Sequence, residues 1–163
     1  MTSPATSDLC DAHKADPDLR VLPPAFRSYG ARPRFCGPVA TVKCFEDNTH
    51  VKAAVESPGQ GRVLVVDGGG SLRRALLGGN LGRAAALNGW AGLVIDGAVR
   101  DVLELAASAI GVRALASVPL PTNRRDEGLV DLPVQIQGVW IRPGDWLYAD
   151  EDGIVVASRD LRT

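Results

Sequence analysis

The stretch GRVLVVDGGGSLRRALLGGNLGRAAALNGWAGLVIDGAVRDVLEL, residues 61–105, decides the fold. It opens with the apolar run Val63–Val66, which ends in Asp67 and predicts a strand buried on both faces. Apolar residues at helical spacing over Leu81–Leu87 predict a helix, and Leu93–Ile95 predicts the core of a second strand. A strand, a helix and a strand in this order indicate an α/β core.

The ends of the predicted elements carry capping residues. Asn80 is the expected N-cap of the central helix, and Gly89 is the expected residue that ends it. Upstream, Gly37–Phe45 has β-branched residues in partial alternation and predicts a strand. Asn48–Glu56 has helical spacing, with Asn48 or Thr49 as the cap.

The two ends of the chain differ in pattern. The polar N-terminal part predicts a short helix at Asp8–Lys14, followed by the Pro-rich lead-in Val21–Phe26. Ile110–Val118 predicts a further strand. From Leu129 to Ala157, short apolar runs alternate with Gly and Pro turns, which predicts a β-meander. We therefore expect one α/β domain over residues 1–163, with an antiparallel section at its C-terminal end.

Composition excludes several classes of protein. The 163 residues include 18 basic and 19 acidic side chains, and the net charge is −1. A nucleic-acid-binding surface needs a basic patch, and the pairs Arg73-Arg74 and Arg124-Arg125 are short enough to be ordinary solvated surface. No apolar run approaches the ~20 residues of a membrane span, and no signal peptide is visible.

Cysteine and histidine do not indicate a metal site. The three cysteines, Cys10, Cys36 and Cys44, are odd in number and lack metal-type spacing, so reduced thiols in a cytoplasm are the simplest interpretation. His13 and His50 lie in polar contexts and are interpreted as surface residues.

Gly78-Gly79-Asn80-Leu81 precedes and opens the central helix. Glycines there let the backbone approach a ligand closely, and the unpaired amides of the first turn favour an anion. A tight turn without a ligand is the alternative, and it is favoured when the glycines are considered alone.

Asp67–Ser71 is a second glycine-rich turn, but it matches neither a Walker A loop nor the dinucleotide fingerprint. We interpret it as close packing around the site, with Asp67 as a supporting residue at most. The acidic turn Asp150–Gly153 lacks the twelve-residue calcium loop and is interpreted as a turn.

Arg100-Asp101 follows the second buried strand, at the end of the sheet where α/β sites are usually built. A guanidinium can hold a substrate carboxylate through two parallel hydrogen bonds. A single carboxylate with waters is a common way to hold Mg²⁺, with the substrate supplying further oxygens. The alternatives are a surface ion pair, or a simple N-cap by Asp101 on a helix at Val102–Ala107.

Across nearly its full length the chain resembles the family of RraA, the regulator of ribonuclease activity A, and of the related 4-hydroxy-4-methyl-2-oxoglutarate aldolases. The segments that carry the resemblance are Phe35–Phe45 with Glu46-Asp47-Asn48, Gly61–Ser71, Leu76–Leu81, Gly89–Asp101 and Pro143–Val156. The resemblance implies a swivelling β/β/α fold, a homotrimeric ring or a higher assembly, and residence in the cytoplasm.

The aldolase-type members look like enzymes that use a divalent metal, Mg²⁺ or Mn²⁺, to cleave 4-hydroxy-4-methyl-2-oxoglutarate and to decarboxylate oxaloacetate. The resemblance places substrate contacts on Gly78, Gly79, Asn80, Leu81 and Arg100, and the metal contact on Asp101. The family pattern is an Asp, twenty residues and Arg-Asp. In this chain the first Asp is replaced by Gly79.

Both reactions pass through a pyruvate enolate, but only aldol cleavage needs a base to remove a hydroxyl proton. The sequence therefore predicts a metal-dependent 2-oxo-acid lyase with Arg100 and Asp101 in catalytic roles. We expect the missing acidic group at Gly79 to reduce aldol cleavage more than decarboxylation. The rival hypothesis is a non-catalytic regulator that binds and inhibits the endoribonuclease RNase E. A ring-forming scaffold with a vestigial pocket is the third.

Overall fold

The fold is a mixed sheet with helices on one side and a small β layer on the other. The computed structural model describes residues 2–162. In chain order the elements are α1 (Thr6–His13), β1 (Arg20–Val21), β2 (Arg27–Ser28), β3 (Phe35–Lys43), α2 (Thr49–Val55), β4 (Val63–Asp67), β5 (Ala75–Leu77), α3 (Gly79–Leu87), β6 (Gly92–Val99), α4 (Val102–Ala107), β7 (Gly111–Ser117), β8 (Leu129–Val130), β9 (Val134–Ile136), β10 (Val139–Ile141), β11 (Trp146–Asp150) and β12 (Gly153–Ala157).

The central strand β4 explains the uninterrupted apolar run of the sequence. It lies between β3 and β6, parallel to both, and all of its residues are buried. Leu64 and Val66 pack in the core formed with the helices. Val63 and Val65 pack on the opposite face, in the core formed with the β layer. The predicted strand and its burial on both faces are confirmed.

The C-terminal strands do not form the predicted meander. Within residues 2–162, β9 and β10 pair only with each other and make a separate two-stranded sheet. β11 pairs with β12 but also joins the main sheet through β3, antiparallel to it. The consecutive strands β10 and β11 are therefore not partners. Turn residues locate the hairpins correctly, but they cannot show which edge each hairpin joins.

The prediction for the C-terminal end of α3 is confirmed, and the prediction for its start is wrong. Gly89 has a φ of +79°, directly after the C-cap Asn88, as expected for a residue that ends a helix. The N-cap position is taken by Gly78 in extended conformation, so Asn80 lies in the first turn. The Asn80 side chain accepts a hydrogen bond from Arg83 and does not cap the helix.

Asn48 occupies the N-cap position of α2, but its side chain makes no cap hydrogen bond. The preceding residue supplies the acceptor instead, because Asp47 Oδ1 accepts from the Thr49 amide at 3.0 Å and from the Thr49 hydroxyl at 2.6 Å. The Asn48 side chain is thereby free to form other contacts, which are described below.

Strand β5 was not predicted, and it positions the site. It lies parallel to β6 and pairs with the last residues of that strand, Ala98 and Val99, directly before Arg100. The carboxyl ends of β5 and β6 therefore lie at the same edge, where ligands bind in open α/β sheets. β1 and β2, at the two ends of the Pro-rich lead-in, were also not predicted, since two residues each are too few to leave a pattern. Within residues 2–162, no helix is both long enough and apolar enough to cross a membrane.

Candidate functional site

A cleft of about 440 Å³ opens at the carboxyl ends of β5 and β6. Its walls come from α2, from the start of α3, from the segment after β6 and from the loop after β7. The residues that line it are Asn48, Lys52, Glu56, Ala75, Gly78, Asn80, Leu81, Arg100, Asp101, Pro121, Thr122 and Arg124. The structure therefore brings together Gly78, Asn80, Leu81, Arg100 and Asp101, five of the six residues that the sequence singled out.

Asp101 reaches back from α4 to the start of α3. Its backbone is left-handed, with a φ of 58°, and its side chain does not cap its own helix. Its Oδ2 accepts a hydrogen bond from the Gly79 amide at 2.9 Å. The interpretation of Asp101 as a simple N-cap of Val102–Ala107 is therefore wrong. The carboxylate lies at the N-terminal end of α3 and accepts a hydrogen bond from one of the amides that the first turn of the helix leaves without a helical partner.

Gly78 is required by the close approach of this carboxylate. A Cβ built on Gly78 would lie 2.7 Å from Asp101 Oδ2 and 3.4 Å from Arg100 Nε. A side chain at this position would therefore push the Asp101 carboxylate away and come into contact with the Arg100 side chain. Glycine is needed here for space and not for its backbone conformation, because any residue can adopt its φ of −128°.

Gly79 does not line the cleft, and its amide is already paired with Asp101. A Cβ at this position would lie 1.8 Å from Glu104 Oε2 on α4. The Glu104 carboxylate thus fills the space that a side chain at residue 79 would enter. It is held there by Arg83, whose Nη1 lies 3.2 Å from Oε2.

The first turn of α3 offers two further amides to a ligand. The first hydrogen bond of the helix runs from the Gly82 amide to the Gly78 carbonyl. The amides of Asn80 and Leu81 therefore have no helical acceptor, and no other acceptor for them is found among residues 2–162. Both residues line the cleft, so the helix turns its positive end toward it, an arrangement that favours a negatively charged ligand.

Arg100 is held by its backbone and leaves its guanidinium available. Its amide donates to the Leu77 carbonyl at 2.9 Å, which fixes the residue beside β5. Nη1 makes one long contact, 3.5 Å, with the Pro119 carbonyl. Among the described residues, no carboxylate forms an ion pair with this side chain. It is therefore free to bind the carboxylate of a ligand.

Several residues of the cleft were missed by the sequence analysis. Arg124 was interpreted as surface, and Asn48 was interpreted only as a helix cap. Lys52, Glu56 and Thr122 were not singled out. Their separation along the chain gives no signal, because only the fold brings α2 and the loop after β7 to the same edge. A parallel bridge between Ala75 and Pro121 places this loop.

The other glycine-rich turn, Asp67–Ser71, is closed by the protein itself. Asp67 Oδ1 accepts from the Gly69 amide at 2.9 Å, and the Asp96 carbonyl accepts from the Gly70 amide at 3.0 Å. The Ser71 hydroxyl donates to Glu46 at 2.6 Å. Burial raises the pKa of Asp96, a shift that a hydrogen bond from Gln137 opposes and the nearby Asp67 reinforces. None of these residues lines the cleft, which agrees with the packing interpretation of this turn.

A divalent cation fits the donor chemistry at Asp101. Within residues 2–162, no group of three or more His, Cys, Asp or Glu side chains could enclose a metal. Asp101 is exposed in the cleft, and in the described part of the chain only its Oδ2 accepts a hydrogen bond. A lone carboxylate suits a hard cation such as Mg²⁺, which keeps several waters and takes further oxygens from a substrate.

The fold and the cleft together define an α/β protein with a candidate ligand-binding cleft at the carboxyl edge of its sheet. The family model described as RraA-like, Aldolase/RraA, matches residues 6–156, and the chain belongs to this family. It is 70% identical to a protein of Albidiferax ferrireducens named "Putative 4-hydroxy-4-methyl-2-oxoglutarate aldolase", with 96% of each chain covered. The resemblance found in the sequence is confirmed.

Two solved structures share the fold closely. The RNA-processing inhibitor RraA from Thermus thermophilis has a TM-score of 0.91 and 48% identity, with 96% of this chain and 93% of that chain covered. An S-adenosylmethionine: 2-dimethylmenaquinone methyltransferase from Geobacillus kaustophilus HTA426 has a TM-score of 0.92 and 44% identity, with 98% of both chains covered. The expected RraA-like α/β fold is confirmed. The three names differ, so function has to be argued from the site.

Proposed function

We propose that this protein is a divalent-metal-dependent 2-oxo-acid lyase that decarboxylates oxaloacetate and cleaves 4-hydroxy-4-methyl-2-oxoglutarate. The observation that carries the proposal is the convergence, in one cleft, of the Arg100 guanidinium, the Asp101 carboxylate and the unpaired amides of Asn80 and Leu81. The 70% identical relative named for aldolase activity supports the same chemistry.

Each group in the cleft has a role that follows from its charge. Arg100 binds the C1 carboxylate of the 2-oxo acid, because its guanidinium is unpaired and can form two parallel hydrogen bonds. The Asn80 and Leu81 amides donate to oxygens that gain negative charge as the enolate develops. Mg²⁺ or Mn²⁺ would be held by Asp101 and would supply positive charge beside the oxygens of the substrate.

Decarboxylation is the reaction that these groups support best. Loss of CO₂ leaves the electron pair of the broken C3–C4 bond on the enolate, and no base takes part. Aldol cleavage also needs a base for the C4 hydroxyl proton, a contribution of roughly 10²–10⁴-fold. Residue 79 offers no carboxylate, and Glu104, whose carboxylate fills the space that a side chain at residue 79 would enter, is tied to Arg83 at 3.2 Å. We therefore expect aldol cleavage to be the slower activity.

The test is release of pyruvate by purified protein from each substrate, with Mg²⁺ or Mn²⁺, against the metal alone and against chelated protein. Arg100→Met should lower kcat/KM by about 10- to 150-fold, the equivalent of a charged hydrogen-bonded contact. Arg142→Met, a change at an exposed arginine outside the cleft, is the matched control and should match the unmodified protein. Pyruvate release no faster than with metal alone would refute the proposal.

A second candidate function is regulation of RNase E without catalysis, and the similarity to the RNA-processing inhibitor RraA favours it. Under this hypothesis the protein binds the endoribonuclease through its surface and inhibits RNA cleavage. A pull-down with RNase E, combined with an RNA cleavage assay, tests it. Binding and inhibition that survive in Asp101→Ala would separate this function from the cleft.

We further propose a homotrimeric ring or a higher assembly, as the resemblance to the family implies. Light scattering during size-exclusion chromatography measures the mass of the particle directly. The chain has a mass of 17.2 kDa, so a monomeric mass in solution would refute this part of the proposal.

A further inference from the structure

The cleft contains a second arginine without a carboxylate partner. Arg124 lines the cleft from the loop after β7. Among residues 2–162, neither Arg100 nor Arg124 forms an ion pair with an acidic side chain. The neighbouring Arg125 differs, because its Nη2 lies 3.4 Å from Glu127 and its side chain is outside the cleft. Two unpaired guanidiniums in one cleft indicate a ligand with two negative groups.

The Arg124 side chain is fixed by a buried amide. Its Nε donates to Asn48 Oδ1 at 3.0 Å, and the Thr122 hydroxyl donates to the same oxygen at 2.8 Å. Asn48 is buried, and its Nδ2 donates to the Leu76 carbonyl at 3.1 Å. Using Nε for the protein leaves the two terminal nitrogens of the guanidinium, the pair that suits a carboxylate, for a ligand.

The backbone beside Arg124 is held by a buried carboxylate. Asp47 Oδ2 accepts from the Arg125 amide at 2.7 Å and from the Glu127 amide at 3.2 Å. Asp47 is fully buried at the start of α2. The adjacent residues Asp47 and Asn48 therefore hold the loop and the arginine together, and Arg124 is positioned before a ligand arrives.

The other charges of the cleft do not neutralise this arginine. Lys52 is paired with Glu56, whose Oε1 lies 2.8 Å from Nζ. Asp101 lies at the start of α3, where it accepts the Gly79 amide. We propose that Arg124 binds the second carboxylate of a 2-oxo dicarboxylic acid whose first carboxylate is held by Arg100. This proposal rests on the proposed function for the choice of a 2-oxo acid.

The site should consequently select substrates by their distal end. A 2-oxo acid with a second carboxylate gains a charged hydrogen-bonded contact at Arg124. One with a methyl group in its place leaves the guanidinium without a partner. Such a contact corresponds to an affinity difference of about 10- to 150-fold. The 2-oxo group and the C1 carboxylate bind in the same way in both ligands, so the ratio of the two affinities isolates Arg124.

Isothermal titration calorimetry with 2-oxoglutarate and 2-oxopentanoate, both in Mg²⁺, tests this without any turnover. We expect the unmodified protein to bind 2-oxoglutarate at least about tenfold more tightly. Arg124→Met should remove the preference while 2-oxopentanoate still binds, and Arg124→Lys should keep part of it. Arg125→Met is the matched control, one residue along the same loop, and should keep all of it.

The outcomes separate the two proposals. Equal affinities in the unmodified protein, or a preference that survives Arg124→Met, would overturn the role of Arg124 and leave the lyase proposal intact. Absence of binding for both acids would overturn the assignment of Arg124 together with the oxo-acid site. A clear preference in a protein that releases no pyruvate would support the dicarboxylate site and count against the lyase.

Discussion

Two glycine-rich turns follow the consecutive strands β4 and β5, and they differ in what pairs with their amides. In Asp67–Ser71, the amides of Gly69 and Gly70 are both satisfied within the protein, by Asp67 and by the Asp96 carbonyl. In Gly78–Leu81, the Gly79 amide is satisfied by Asp101, while those of Asn80 and Leu81 have no acceptor in residues 2–162. A glycine-rich turn becomes a candidate site only when some of its donors remain open toward a cleft.

The largest effect should come from removing the carboxylate that accepts an amide in each turn. Asp101→Ala leaves the Gly79 amide unpaired and removes the proposed metal contact, so metal-dependent pyruvate release should fall at least about 100-fold. Asp67→Ala leaves the Gly69 amide unpaired, which should cost about 1–3 kcal/mol of stability without loss of activity per folded molecule.

Steady-state kinetics and urea unfolding of both variants measure these effects. Similar activity losses in the two variants would contradict the distinction between the turns.

A smaller effect should come from adding one methyl group to each turn. In Gly78→Ala the new Cβ would lie 2.7 Å from Asp101 Oδ2, so the carboxylate must move and activity should fall about tenfold or more. In Gly68→Ala the Cβ would lie 2.7 Å from the Asp96 carbonyl oxygen, so the backbone must move, which typically costs about 1–3 kcal/mol.

Gly78→Ala should therefore lower mainly kcat/KM, and Gly68→Ala should lower mainly the denaturant midpoint. The reverse pattern, with Gly78→Ala unstable and active, would show that the α3 turn is structural.

The smallest effect is a loss of folding stability in acid, and it is expected from one residue beside the cleft, the buried carboxylate of Asp47. Burial by itself would raise the pKa of Asp47, but hydrogen bonds from Thr49 and from the Arg125 and Glu127 amides outweigh it and lower the pKa from 3.8 to about 2. The folded protein therefore binds this proton less readily than the unfolded chain. The resulting stabilisation is present above pH ~4 and is lost as the pH falls toward ~2.

Asp47→Asn should lower stability at neutral pH and flatten its dependence on pH between about 4 and 2. Thermal unfolding at a series of pH values measures both effects. An unchanged acid profile in Asp47→Asn would show that this carboxylate does not anchor the loop that carries Arg124.

Local patterns in the sequence predicted the main elements because those elements depend on local chemistry. The strand Val63–Val66 could be predicted because a run of apolar residues indicates burial. The end of α3 could be predicted because Gly89 readily adopts the left-handed conformation. The pair Arg100-Asp101 could be found because it directly follows a recognisable strand. These are features that neighbouring residues determine among themselves.

The remaining features depend on contacts between distant residues. The cap of α3 comes from Asp101, 22 positions away from Gly79, so Asn80 was a reasonable but wrong choice. Arg124 enters the cleft because Asn48, 76 positions away, accepts its Nε hydrogen bond. Only a resemblance to a family or the folded structure can supply pairings over such separations.

We expect the open turn at Gly78–Leu81, with Arg100 and Asp101, to hold a 2-oxo acid and a cation, and the closed turn at Asp67–Ser71 to hold neither. A crystal structure with Mg²⁺ and pyruvate would show both turns in one experiment. We predict density for the cation beside Asp101 and for pyruvate between Arg100 and the start of α3, with none at Asp67–Ser71. Saturated crystals that show no ligand at Asp101, or that show one at Asp67–Ser71, would refute the assignment of this site.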